Sequence, residues 1–518
     1  MMSNIRRAAC LFFVLGILLS CGHSQGRRES PADSITAMEL RDRIFFLASD
    51  ALEGRYLGSR GYQIAAQYAE SQFKAAGLIP IVSQGNQKTY LQSVPVARRT
   101  ADSPLSLVLK TPSGEQTFGH GKDFKWLEGD LLPWERRPLQ VVFAGYGIIE
   151  PAYGWDDFRG FRIENKAVLI RMGSPTKDGK PVLPEEVHKL YASNYSWFRK
   201  MLALFPMKPA AIFLIPDQET LKDWESIPIK TQAPQIIYNN RNEKAFHVPC
   251  VCVIKPEVAK AIFVSQAREL PGTSPTGRGN DKSLELENVS LTLNASFTEE
   301  DIPTWNVIGL VEGTDPVLKT EYVAVTAHLD HLRPQKQGEI YPGSDDNASG
   351  SAGLMEIAQA AAIRPAKRSL IFVLFTGEEE AAIGSRHFVS ACPVPLEKIV
   401  ADINLDMIGR TDKASEKSRG AYAVGSERIT GAFTRLIKEV NSRTVRWPIQ
   451  YENPLGVSDN IIFDAVHIPA VNFYSGNHPD VHRPTDTPDK IDYEKARKIS
   501  QLVYEITMEL GNRDPLWK

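Results

Sequence analysis

Four apolar runs in the second half of the chain each deliver ionisable side chains at their ends. Tyr322 to Ala327 leads into His328-Leu329-Asp330-His331, and Ser369 to Phe375 leads to Glu378-Glu379-Glu380. Ile399 to Leu405 leads to Asp406, and Ala470 to Tyr474 leads, after a loop, to His482. Such short, continuous runs of large apolar side chains are the pattern of strands buried on both faces. Val307 to Val311 reads as a further strand, and helices are predicted over Gly353 to Ala362 and Tyr493 to Leu510. Alternation of strand, loop and helix argues an α/β sheet covered on both faces. Ligands of such sheets bind beyond the carboxyl ends of the strands. One rim therefore gathers His, Glu, Asp and His. Between the first two of these strands, the turn Gly343-Ser344-Asp345-Asp346-Asn347-Ala348-Ser349-Gly350 carries two more carboxylates straight into a helix.

Two imidazoles and several carboxylates make a nitrogen and oxygen metal site, suited to zinc and also to cobalt or manganese. The carboxylates outnumber what one ion needs, which fits a pair of ions sharing one carboxylate. The crowded run Phe375-Thr376-Gly377-Glu378-Glu379-Glu380 then makes sense. A cation on one glutamate relieves its repulsion, and the neighbour stays free as a general base toward the water the ions activate. The alternative for the run alone is a solvated helix start, where acids suit the helix dipole. That alternative leaves the other three strand ends unexplained. For any single His, a hydrogen-bonded loop residue is the ordinary reading. It is retained for His331, His387, His467 and His478, and left behind only for His328 and His482.

Taken in order, the segments HLDH, GSDDNASG, FTGEEEAAIGS, NLDMIG and VHRPTDTPDKIDY resemble the bacterial di-zinc, leucyl-type aminopeptidases. Their wider family includes glutamate carboxypeptidases, the transferrin receptor and glutaminyl cyclases. The resemblance implies a mixed, mostly parallel sheet of the zinc-exopeptidase type, two divalent ions (zinc first), and a peptide substrate. It implies His328 and Asp406 on one metal, with Asp330 orienting the His328 imidazole from behind. Asp346 would bridge both ions, Glu379 and His482 would hold the second, and Glu378 would be the base. The register follows from Gly384-Ser385, which makes Glu380 an extra acid of the turn. Asp345 is left open between a metal contact and a loop hydrogen bond. A cis peptide between Asp346 and Asn347 is also implied. Two positions depart from the common pattern: Val481 stands where a Tyr often precedes the last His, and Asn460 where a His often follows Ser-Asp. Aminopeptidase is the leading activity. A carboxypeptidase, a glutaminyl-cyclase-like enzyme and a non-catalytic receptor-like binding protein are the alternatives on the same fold.

The chain has 518 residues, more than one ordinary domain. Its first 21 residues read as a leader: Arg6 and Arg7, an apolar stretch from Ala8 to Leu19, then Leu18-Leu19-Ser20-Cys21, which resembles a bacterial lipobox. That implies cleavage before Cys21, a lipid on its sulfur and a cell-envelope location, with residues 22–35 as a polar tether. The other outcome of such a leader is a secreted protein. Residues 36–112 read as the opening part of the catalytic domain. They carry an apolar stripe of Leu40, Ile44, Phe45 and Leu47 and another of Ala65, Ala66, Tyr68, Ala69 and Phe73, closed by Gly77. The stretch LASDALEGRYLGSRGYQIAAQYAESQFKAAGLIP resembles the same family's opening helices. Leu91 to Val96 is a candidate strand. Residues 113–281 change texture to short strand-like runs, among them Leu139 to Phe143, Ala167 to Ile170, Ala211 to Ile215 and Val251 to Ile254. With VVFAGYGI and ENKAVLIRMG they resemble an inserted protease-associated domain, and Trp134, Tyr146, Tyr153, Trp155 and Phe158 are assigned to its packing. Residues 282–518 complete the catalytic domain. Cys250 and Cys252 alternate in an apolar strand, one facing inward, as buried small hydrophobes rather than a disulfide. Net charge is -2 without a basic stripe, which argues against nucleic acid. Contact with a membrane is expected only through Cys21, and the sequence is silent on oligomeric state.

Overall fold

The computed structural model describes residues 30–129, 137–177, 179–192, 196–227, 235–240, 246, 248–265, 283–334, 336, 338–412, 420–425, 430–451 and 458–517. The leader, Cys21 and Trp134 lie outside these residues. The strands of the main sheet are β1 (Leu91–Ser93), β2 (Trp305–Val311), β3 (Tyr322–His328), β4 (Ser369–Phe375), β5 (Ile399–Leu405), β6 (Ala421–Gly425), β7 (Ile449–Gln450) and β8 (Ala470–Tyr474). Their order is β7-β6-β8-β5-β3-β4-β2-β1. The central four, β8, β5, β3 and β4, run parallel, whereas β1, β2 and β6 join antiparallel. The mixed, mostly parallel sheet that the resemblance implies is therefore present. Its parallel centre aligns the carboxyl ends of β3, β4, β5 and β8 along one rim.

Period-two alternation sends neighbouring side chains to opposite layers. In β4, Leu370, Phe372 and Leu374 enter the core beneath helices α1 (Ala37–Leu47), α2 (Arg60–Ala75), α3 (Gly350–Ile363) and α7 (Tyr493–Asn512). Ile371, Val373 and Phe375 enter the opposite core with α4 (Ile383–Ser390) and α6 (Asn460–Ala465). Helix α3 is apolar nearly all round and buried on almost every side, as a central helix must be. In α1 the apolar stripe is corrected at one place. Phe45 is 40% exposed, and the buried position goes to Arg43, whose charge is met by Glu356 at 2.6 Å. Helix α2 crosses the preceding turn so closely that a Cβ on Gly61 would lie 1.6 Å from the Leu52 carbonyl oxygen. Gly61→Ala is therefore expected to cost about 3 kcal/mol, the upper end of the overpacking range. Urea unfolding, read as a lowered midpoint, checks it.

The middle block folds on an eight-stranded sheet of its own, with Leu139–Phe143, Ala167–Arg171, Ala211–Ile215 and Cys250–Ile254 parallel at its centre. Ser106–Thr111 and Leu284–Asn294, which lie outside 113–281, pair within the same sheet. Cys250 and Cys252 are both buried in one core layer, because residues two apart in a strand share a face. Neither is in a disulfide, and their sulfurs lie 3.7 Å apart. Val96–Ala101, Gln235–Tyr238 and Phe297–Ile302 form a separate three-stranded sheet. The far end of the expected tether is packed, since Ala32 and Ile35 join the main core. Among the described residues, no helix is long and apolar enough to cross a membrane.

Candidate metal centre

The rim at the ends of β3, β4, β5 and β8 brings the expected residues together around Asp346. The His328 Nε2 lies 3.3 Å from Asp406 Oδ1 and 3.4 Å from Asp346 Oδ1. On the other side of Asp346, its Oδ2 lies 3.0 Å from His482 Nε2, which in turn is 3.4 Å from Glu379 Oε2. Two donor triads share Asp346: His328 with Asp406, and His331 with Glu379, the donor atoms of each triad all within 4.8 Å of one another. The peptide between Asp346 and Asn347 is cis. The Asn347 side chain is anchored between the Leu405 carbonyl, to which it donates, and the Gly350 and Met407 amides, which it accepts from.

His331 is the residue sequence reasoning left out. Its Nδ1 donates to Glu379 Oε1 at 2.7 Å, and its Nε2 is buried with no partner among the described residues. The signal was its place three residues after His328 at the same strand end, outweighed by the ordinary reading of a loop histidine. Asp330 meets the His328 imidazole through its backbone carbonyl, 3.2 Å from Nδ1, while its Oδ1 stands at 3.8 Å. That Oδ1 accepts from the Glu378 amide, tying the two strand ends together. Asp345 takes the loop role: it accepts from the Gly409 amide at 2.6 Å, from Ser349 and from His478. Asp486, a second residue not picked out from sequence, accepts from the amides of Asp345 and Asp346 and so fixes their turn. Val481 packs with Met407, Tyr422, Val424 and Tyr474, and the Asn460 carboxamide accepts from the Ser458 amide. His387 is bound to Tyr238, and Glu380 is half-buried beside its two neighbours.

The electrostatics call for cations. Burial raises both Glu378 and Glu379 well above the usual carboxylate range; repulsion from Glu379 and Asp406 adds to the first and from Asp346 to the second. Burial alone would lower His482, but its hydrogen bond to Asp346 and the Glu379 charge lift it to about 9. His328 is likewise raised, with Asp406 and Glu378 overcoming its burial. Protons thus gather where positive charge is wanted. An all-nitrogen and oxygen donor set, the shared central carboxylate and the orphaned buried atoms His331 Nε2 and Asp330 Oδ2 fit divalent metal. The Glu378 carboxylate has no hydrogen-bond partner among the described residues.

Residues 306–507 match the model of Peptidase family M28. Aminopeptidase YwaD of Bacillus subtilis is 25% identical over 49% of this chain and 58% of its own length. A probable leucine aminopeptidase of Arthroderma otae is 27% identical over 38% of this chain and 56% of its own. The chain thus spans a little over half the length of these curated relatives. Among solved structures, an aminopeptidase from Aneurinibacillus sp. strain AM-1 aligns over 94% of this chain and 96% of its own, at 18% identity and a TM-score of 0.48. A zinc aminopeptidase from Bacillus subtilis aligns over 93% and 96%, at 19% identity and 0.46.

Proposed function

On the premise that residues 306–507 are a peptidase family M28 domain, we propose that this chain is an aminopeptidase with two divalent ions, zinc first among them. His328, Asp346 and Asp406 would hold one ion, and Asp346, Glu379 and His482 the other. The observation that carries the reading is the shared Asp346, with an imidazole and a carboxylate on each side of it. When bound, the ions would act as Lewis acids on the scissile carbonyl and on water. The chain's own residues do the rest. Glu378, held at the end of β4 with its carboxylate unpartnered, takes a proton from the attacking water and returns it to the departing amine. Asp330 holds the Glu378 amide and the His328 loop in register. His331 steadies Glu379 from the buried side.

The receptor-like alternative is disfavoured because every donor position is filled and converges. Metal analysis of the purified protein, with loss of peptidase activity on chelation and its return on adding zinc, tests the proposal. Metal-free protein as purified from zinc-supplemented medium would overturn it.

From the pattern of its leader we also propose a cell-envelope enzyme held through a lipid on Cys21. Cys21→Ala is expected to move the protein from the membrane fraction to the soluble one and to abolish labelling by a radioactive fatty acid. Unchanged partitioning would point instead to a secreted enzyme.

A further inference from the structure

The turn Glu53-Gly54-Arg55 has no part in the reading above, yet it wedges between the two segments that carry the ligands. Its three residues are all left-handed, with φ of 52°, 80° and 58°. Gly54 passes so close to the second segment that a Cβ would lie 2.5 Å from the Tyr341 carbonyl oxygen. On the other side, the Arg55 carbonyl accepts from the His331 amide at 3.3 Å, and Tyr56 bridges to His331. The Arg55 side chain is wholly buried. It donates to the carbonyls of Leu329 (3.0 Å), Pro342 (2.7 Å), Gly343 (3.0 Å) and Leu47. No carboxylate pairs with it among the described residues, so a buried cation is spent entirely on backbone. Burial draws its pKa down to about 10 against the pull of Asp346 and Asp330, which leaves it charged at neutral pH.

A charge in such a place costs free energy unless its donors are all used. Here four of the five are used, and three of those join Leu329–His331 to Pro342–Gly343, the stretches that lead directly to His331 and to Asp346. The planar five-donor fork spans carbonyls from three segments at once, which the three donors of a lysine on a flexible stem cannot reproduce. We propose that Arg55 is a positioning residue of the metal centre, setting the two ligand-bearing segments against each other so that Asp346 and His331 both meet Glu379. The role rests on the metal reading above.

The test is a cobalt(II) titration of chelator-stripped protein, followed by visible absorption. Unsubstituted protein is expected to bind; if it does not, the metal reading falls and this role with it. Arg55→Lys, with a native circular dichroism spectrum, is expected to bind cobalt about 10–100-fold more weakly, the usual effect of losing a group that orients ligands. Arg43→Lys is the control, because Arg43 is a buried arginine of the same core that faces Glu356 rather than the ligand segments. It is expected to titrate like the unsubstituted protein. If Arg55→Lys does not fold, Gly54→Ala is titrated instead, since it pushes the same turn off Tyr341 and keeps the guanidinium; the same weakening is expected. Unsubstituted-like binding by a folded Arg55→Lys overturns the proposal while leaving the metal reading intact. So does equal weakening in Arg43→Lys, or failure of both turn variants to fold, since either makes the turn a general element of stability.

Discussion

Glu378→Gln is expected to keep its metals and lose turnover by on the order of 10²–10⁴-fold, the range for removing a positioned general base. Glu379→Gln is expected to lose metal instead. The two neighbours are separated by their surroundings rather than by their chemistry. Glu379 stands between His331 at 2.7 Å and His482 at 3.4 Å, in the company of Asp346. Among the described residues, Glu378 is fixed only through its backbone, by the Asp330 carboxylate on its amide and by the Ala382 amide on its carbonyl. Its side chain is therefore available to take up a proton. The left-handed residues Ala381 and Ala382 turn the chain immediately afterwards into α4, which keeps both glutamates at the mouth of β4. Measured metal content and kcat for the three single variants decide the register. If Glu379→Gln retains metal and is the dead variant, the assignment is off by one residue. If Glu380→Gln is the inactive one, the strand end has been misread.

The strand ends were legible because burial on both faces leaves an unbroken apolar run, and such a run has only one kind of place in an α/β fold. β4, β5 and β8 start and stop where that pattern does. What stayed hidden depends on partners far away in sequence. Arg43 reads as a solvent-facing residue until Glu356 is brought to it by the packing of α1 on α3. His331 reads as a loop histidine until Glu379 arrives from the next strand. Asp486 and Arg55 act on backbone amides and carbonyls, which carry no side-chain signature at all. Ser106–Thr111 and Leu284–Asn294 have the ordinary alternation of half-exposed strands, and only pairing shows which sheet they join. β6 and α5 (Thr430–Arg443) went unread for a related reason, lying between segments with no motif to frame them.

Polarity of the substrate is the other large effect. A free aminoacyl reporter is expected to be cleaved, and its N-acetylated form to lose about 2–5 kcal/mol of transition-state binding, roughly 30- to 5,000-fold in kcat/KM. The reason is the balance of charge at the rim. Asp346, Glu378, Glu379 and Asp406 converge there, with Asp330 and Asp459 buried behind them. The two divalent ions proposed above would offset much of that charge, and what remained would suit a substrate ammonium better than a carboxylate. A carboxypeptidase needs a cation free to face its substrate. Arg386 is buried, donates to the carbonyls of Phe246 and Ala381 and lies over the Tyr238 ring. Arg410 is held by Asp480 at 3.0 Å and lies 3.9 Å from Asp486, and Arg333 lies over Tyr56. Arg55 spends its donors on backbone. Arg483 is left, on an exposed turn next to His482, and it is the group to watch. The deciding comparison adds a peptide with a blocked N-terminus and a free C-terminus. Release of its last residue would overturn the aminopeptidase reading, and Arg483→Ala would then be expected to abolish that release, because a carboxylate terminus brought to this rim without a cation would meet only like charge.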